Sequence, residues 1–89
     1  MPPENLFTNA SPPLKGEDFK TLLSHRNLVV ERIVSSADIT PTEYVQTQDE
    51  WVLLLQGEAM LSVAGERVGL NSGDYLFLPA NTPHTVEKV

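Results

Sequence analysis

No cysteine occurs among the 89 residues, which removes disulfides, thiolate metal sites and thiol nucleophiles together and leaves the redox compartment undetermined. Basic side chains are scarce as well. Six Lys and Arg stand against twelve Asp and Glu, for a formal charge of -6, and every basic residue is isolated in the chain, so nothing follows a phosphate backbone. Nucleic acid is not an expected partner. No apolar stretch approaches the ~20 residues of a membrane span, and the opening MPPENLF lacks the charged-then-apolar layout of a signal peptide. The expectation is a cytoplasmic protein without membrane attachment. Also missing are GxGxxG, a Walker loop, GxSxG and paired histidines at helical spacing, so phosphate cradling and serine hydrolysis have no support.

What is present is enough apolar residue for one small domain. The hydrophobic fraction of 40% is ordinary, and it is concentrated between Leu28 and Val86, which argues against disorder beyond the ends. A chain this short buries only about 60 to 65% of its unfolded surface, so the margin of stability is thin.

The first fourteen residues hold four of the seven prolines and read as an irregular arm. Phe19, Leu22 and Leu23 then fall at i, i+3 and i+4 behind Gly16-Glu17-Asp18, which predicts one short helix ending near Ser24 or His25, with His25 complementing the helix dipole. From Leu28 the pattern changes to short strands: Leu28 to Val34, a stretch from Glu43 to Gln46, the apolar run Trp51 to Leu55, Glu58 to Val63, Arg67 to Leu70, Tyr75 to Pro79, and Thr85 to Val89. The run at Trp51 is continuous rather than alternating, which predicts a strand buried on both faces. Turns are marked at Ala64-Gly65-Glu66 and at Asn71-Ser72-Gly73-Asp74. The expected division is an arm and helix over 1–27 followed by one all-β domain over 28–89, a sandwich or barrel.

Two blocks carry the chemistry. The first runs from Tyr44-Val45-Gln46-Thr47-Gln48-Asp49-Glu50-Trp51 to Gly57, and the second is Gly73-Asp74-Tyr75-Leu76-Phe77-Leu78-Pro79-Ala80-Asn81-Thr82-Pro83-His84. Together they resemble the two cupin motifs. In that family the first block is His-x-His, three or four residues, Glu, six residues, Gly; Glu50 and Gly57 keep this spacing, and Tyr44 and Gln46 stand at the histidine positions. The second block is Gly, five residues, Pro-x-Gly, two residues, His, three residues, Asn; Gly73, Pro79 and His84 match it. Asn81 replaces its glycine, Lys88 its asparagine, and Asp38 stands where the first block would open with glycine. The wording Tyr-x-Gln-x-x-Asp-Glu-Trp is similar to that of short single-domain cupins. The resemblance implies a cupin double-stranded β-helix, or jelly-roll barrel, over roughly residues 28 to 89.

It also implies a divalent metal centre, with nickel, zinc, iron or manganese as the ion, held here by Gln46, Glu50 and His84. Tyr44 is then a fourth ligand, an acid, or a hydrogen-bond donor to substrate. A glutamine carbonyl is a weak ligand, and a phenol ligates well only as phenolate, so affinity should fall below that of a three-histidine site. Tyr44 and Gln46, two apart, share one side of the sheet if that stretch is extended. They serve equally well as polar residues lining a pocket that holds no metal. Trp51 reads as a core or interface anchor, Asp49 as an outward or turn residue, and Pro79 and Pro83 as shaping the loop that aims His84.

Cupins normally continue beyond the second block with strands that close the sheet, so the short stretch after His84, together with Trp51 and Leu53 on the face away from the pocket, leads us to expect a homodimer in which an arm or a second copy covers the open edge. Two functional readings follow: a divalent-metal cupin acting on a small polar or sugar-like molecule by isomerisation or oxygen chemistry, and a metal-free module that binds a small ligand through Tyr44, Gln46 and His84.

Overall fold

A computed structural model describes residues 2–89 and shows eight strands and no helix among them. Two compact units divide the chain, one running to Ile39 and the other Thr40–Val89.

The first unit is an arm and a hairpin. Strand β1 (Glu17–His25) pairs antiparallel with β2 (Leu28–Ser35) from Glu17↔Ser35 to His25↔Leu28, across a two-residue turn with Arg26 at φ 55°. The short helix expected over residues 19–25 is therefore a strand, and His25 ends a ladder instead of capping a helix. The reason is a β-bulge between Thr21 and Leu23, which leaves Leu22 unpaired. The bulge breaks the alternation, so that Phe19 and Leu23, whose partners are Ile33 and Val30, stand on opposite faces of the hairpin, and their spacing with Leu22 matches a helix only by coincidence. The arm is tied to the hairpin by Arg32, whose Nη1 donates to the carbonyls of Leu6 (3.0 Å) and Thr8 (2.7 Å) and whose Nη2 donates to that of Asn9 (3.3 Å). Buried Ser36 closes the open end of the hairpin: its Oγ donates to the Asp38 carbonyl and accepts from the Asp38 N–H, while its own N–H donates to the Gly16 carbonyl.

The second unit holds β3 (Glu43–Tyr44), β4 (Glu50–Leu53), β5 (Glu58–Val63), β6 (Glu66–Asn71), β7 (Tyr75–Leu78) and β8 (His84–Lys88). They form a four-stranded antiparallel sheet in the order β3-β8-β5-β6 and a separate β4-β7 ribbon. Strands β5 and β6 are joined by Ala64-Gly65, both at positive φ (50° and 82°), the conformation that matches the right-handed twist of a hairpin. The buried apolar side chains Leu61, Leu70 and Leu78 all lie in this unit, one each on β5, β6 and β7.

Strand β4 is not buried on both faces. Glu50 and Val52 are half-buried, whereas Trp51 and Leu53 are exposed, because its partner β7 alternates in phase and the ribbon presents one face to the core and one outward. Strand β3 is also shorter than expected. The chain leaves the sheet after Tyr44, and the Gln46 carbonyl accepts from the Asn81 N–H of a loop (2.6 Å) instead of continuing the ladder.

Candidate functional site

The site is assembled within the second unit at the place where its two sheets meet. Glu50 opens β4 of the ribbon, and His84 opens β8 of the four-stranded sheet. Their side chains converge, with His84 Nε2 3.9 Å from Glu50 Oε1. The imidazole is buried and the carboxylate is 28% exposed, so the pair sits at the edge of the core with an opening on the glutamate side.

The loop before His84 controls its orientation. His84 Nδ1 lies 3.0 Å from the Thr82 carbonyl oxygen, which can only accept, so Nδ1 carries the proton of that bond. In the neutral ring this leaves the Nε2 lone pair facing Glu50. Two acceptors then look at each other across 3.9 Å, too long for a good hydrogen bond and suited to a cation between them. Two donors at ~2.1 Å from a shared ion lie at most ~4.2 Å apart, so the observed separation is compatible with joint ligation.

The same loop is clamped by the first block. Asp49 Oδ1 accepts from the Ala80 N–H at 2.8 Å, and the next amide, that of Asn81, donates to the Gln46 carbonyl. Asn81 adopts φ 64°, the left-handed conformation for which glycine is favoured and asparagine is among the better tolerated side chains. The departure from the motif thus preserves the backbone geometry of the turn. Gly57 (φ 91°) and Gly73 (φ 90°) occupy the same region of conformational space.

Tyr44 is the register partner of His84, and the two rings lie 6.1 Å apart between centroids at an interplanar angle of 31°. The phenol is partly exposed beside the buried imidazole. Gln46 is half-buried in the loop after β3, and its Oε1 accepts from Gln48 Nε2 at 3.3 Å, an interaction a metal ligand would have to share or break. Among the described residues no group of three or more His, Cys, Asp and Glu is placed to hold a metal ion. Glu50 and His84 are therefore the strong donors of the site. They supply one oxygen and one nitrogen donor, types that a divalent transition ion accepts.

Sequence reasoning missed the positioning role of Asp49, which it placed outward or in a turn, and the tautomer-fixing carbonyl of Thr82. Neither had a signal beyond its place inside the motifs.

Relatives bear on this arrangement. The cupin domain profile matches residues 30–89. The quercetin 2,3-dioxygenase of Bacillus subtilis (strain 168) is 42% identical over 48 residues, which is 54% of this chain and 14% of that enzyme, so the chain spans about a seventh of its length. A candidate mannose-6-phosphate isomerase from Ralstonia eutropha JMP134 superimposes with a TM-score of 0.83 at 32% identity, covering 97% of this chain and 83% of that one. A Photorhabdus luminescens protein shares the fold alone, at 21% identity and a TM-score of 0.59, over 79% of this chain and 62% of that one. An all-β fold, two conserved-spacing motif blocks and a full-length structural match lead to one statement of kinship: the chain belongs to the cupin family.

Proposed function

We propose that the Glu50–His84 pair is a divalent-metal centre and that the protein acts on, or holds, a small polar or sugar-like molecule there. The observation that carries the reading is the meeting of an imidazole Nε2 and a carboxylate oxygen from different sheets at 3.9 Å. An ion bound at this place supplies Lewis acidity toward a substrate oxygen. Glu50 contributes the negative charge and His84 a neutral nitrogen donor whose second ring nitrogen is held by Thr82. Tyr44, partly exposed and beside His84, offers a phenolic hydroxyl as hydrogen-bond donor or acid toward a substrate hydroxyl. Gln46 is the third protein ligand of this reading, at the cost of its bond to Gln48. The names of the two relatives, an isomerase candidate for a sugar phosphate and a dioxygenase, support small oxygen-rich molecules as the class.

A metal-free binding module is the second reading, favoured by the absence of a third His, Cys, Asp or Glu among the described residues around the pair. Elemental analysis and calorimetric titration with nickel, zinc, iron and manganese separate the two, on protein purified without a histidine tag. The metal reading expects one ion per chain in the wild type and its loss in both Glu50→Gln and His84→Ala, with the circular dichroism spectrum unchanged. Wild-type protein that stays metal-free after soaking overturns it.

A further inference from the structure

The register of the four-stranded sheet fixes which side chains share a face with His84. On β8, His84 stands between Tyr44 of β3 and Val63 of β5, and Val63 is paired in turn with Glu66 of β6. Paired residues point to the same side, so Tyr44, His84, Val63 and Glu66 form one row, on the side that also carries buried Leu61 and Leu70. The adjacent row, Glu43, Thr85, Ser62 and Arg67, belongs to the opposite side.

Both basic side chains of the second unit lie on that opposite side. Arg67 is engaged there by Glu87, with Nε 3.4 Å from Oε2. Lys88 would share the face of His84 by simple alternation, but the register shift between Met60 and Leu61 makes Glu87 an extra residue in β8. Lys88 therefore pairs with Met60, whose side chain lies with Ser62 and Arg67. The same unit holds seven carboxylates, and Glu66, exposed at the start of β6, is the one at the end of the His84 row.

Donor and acceptor roles define the ligand. His84 Nε2 and the Glu50 carboxylate both present lone pairs, while the Tyr44 hydroxyl can donate or accept. A phosphate ester brings only acceptor oxygens and negative charge to this face, where the second unit offers no Lys, Arg or helix N-terminus to hold it. A hydroxyl group donates to Glu50 and keeps lone pairs for an ion. We propose that the Glu50–His84 site takes uncharged, hydroxyl-bearing molecules and rejects their phosphate esters, with Glu66 as a specificity-determining residue. The proposal rests on the reading of that pair as the ligand site. An ion there does not reverse the choice: Glu50 cancels one of its two positive charges, which leaves a phosphate dianion undercompensated. An ammonium ligand, which also donates, is repelled by the same ion.

The test sets each sugar against its own ester. Ribose, mannose and the phosphate monoester of each are titrated to tens of millimolar into the full chain, once stripped of metal and once loaded with zinc, while the His84 ring and Tyr44 amide resonances are followed. In both forms the sugars should move these resonances, and the esters should bind roughly tenfold more weakly or worse. Two strand spacings, about 10 Å, separate Glu66 from His84. Glu66→Lys changes two units of charge at that distance from a dianion and should tighten ester binding roughly tenfold relative to the sugars at low ionic strength, and less as salt rises. An ester that binds the wild type as tightly as its sugar overturns the proposal, as do esters indifferent to Glu66→Lys and a wild type that answers neither sugar. Failure of the metal reading looks different. A chain that takes up no zinc and still prefers the sugars loses the ion and keeps this specificity, whereas zinc uptake at the pair with no response to sugar keeps the ion and loses the specificity.

Discussion

Replacing Asp49 by alanine removes the carboxylate that accepts from the Ala80 N–H at 2.8 Å and so unfastens the loop that presents His84. A hydrogen bond to a charged acceptor contributes about 1.5–3 kcal/mol, and solvent exposure of this one brings the expected loss down to about 1 kcal/mol. In a domain of this size that lowers the melting temperature by roughly 4–8 °C. Asp49→Asn keeps an acceptor oxygen without the charge and should recover about half of the loss. The loop does not come entirely free, because the Asn81 N–H still donates to Gln46. The effect should therefore be local: faster amide exchange at Ala80, little change at Leu61 or Leu70, and a broadened His84 ring resonance as the Thr82 carbonyl loses its fixed position. Thermal denaturation and residue-resolved hydrogen exchange read both parts. An alanine variant that melts within a degree of wild type, with Ala80 exchange unchanged, refutes the claim that Asp49 positions the loop.

Other substitutions probe the frame around the site. Leu78→Ala truncates the most buried apolar side chain, opposite Glu50 on the ribbon, and should cost about 2–5 kcal/mol, read as a lower urea midpoint. Ala64→Asn replaces an alanine held at φ 50° by a residue that tolerates the left-handed region and creates an Asn-Gly turn, so the protein should gain roughly 0.5–1 kcal/mol; a lower melting temperature would count against that turn geometry. Arg32→Met removes the donors to Leu6, Thr8 and Asn9, and limited proteolysis should then cut the arm over residues 6–9 well before the wild type is cut, with equal rates speaking against the clamp.

Much of the second unit was legible because its turns demand particular residues. Glycine at 57 and 73, asparagine at 81 and the Ala64-Gly65 pair all stand at positive φ, and these are the points that set the strand boundaries around Glu50 and His84. The convergence of those two side chains was legible only through the resemblance of the two blocks to the cupin motifs, and the structure brings them to 3.9 Å. The bulge in β1 was not legible, since Phe19, Leu22 and Leu23 fall by chance at helical spacing and nothing in the local sequence reveals the partner strand. The continuous apolar run Trp51 to Leu55 misled on burial, because only the register with Tyr75 and Phe77 shows one face of β4 exposed; that Trp51 and Leu53 point away from the pocket was expected from the sequence. Arg32 gave no sign of its role, because three backbone carbonyls leave no trace in side-chain identity.

The most direct test of the metal centre is a long-range proton–nitrogen spectrum of the imidazoles during zinc titration, simple to read because His25 and His84 are the two histidines of the chain. The account predicts a large shift of His84 Nε2 that saturates at one ion per chain, with Nδ1 still protonated towards Thr82, His25 unmoved, and the response abolished in Glu50→Gln. A His84 spectrum that does not respond to zinc, or a response shared equally by His25, would contradict it.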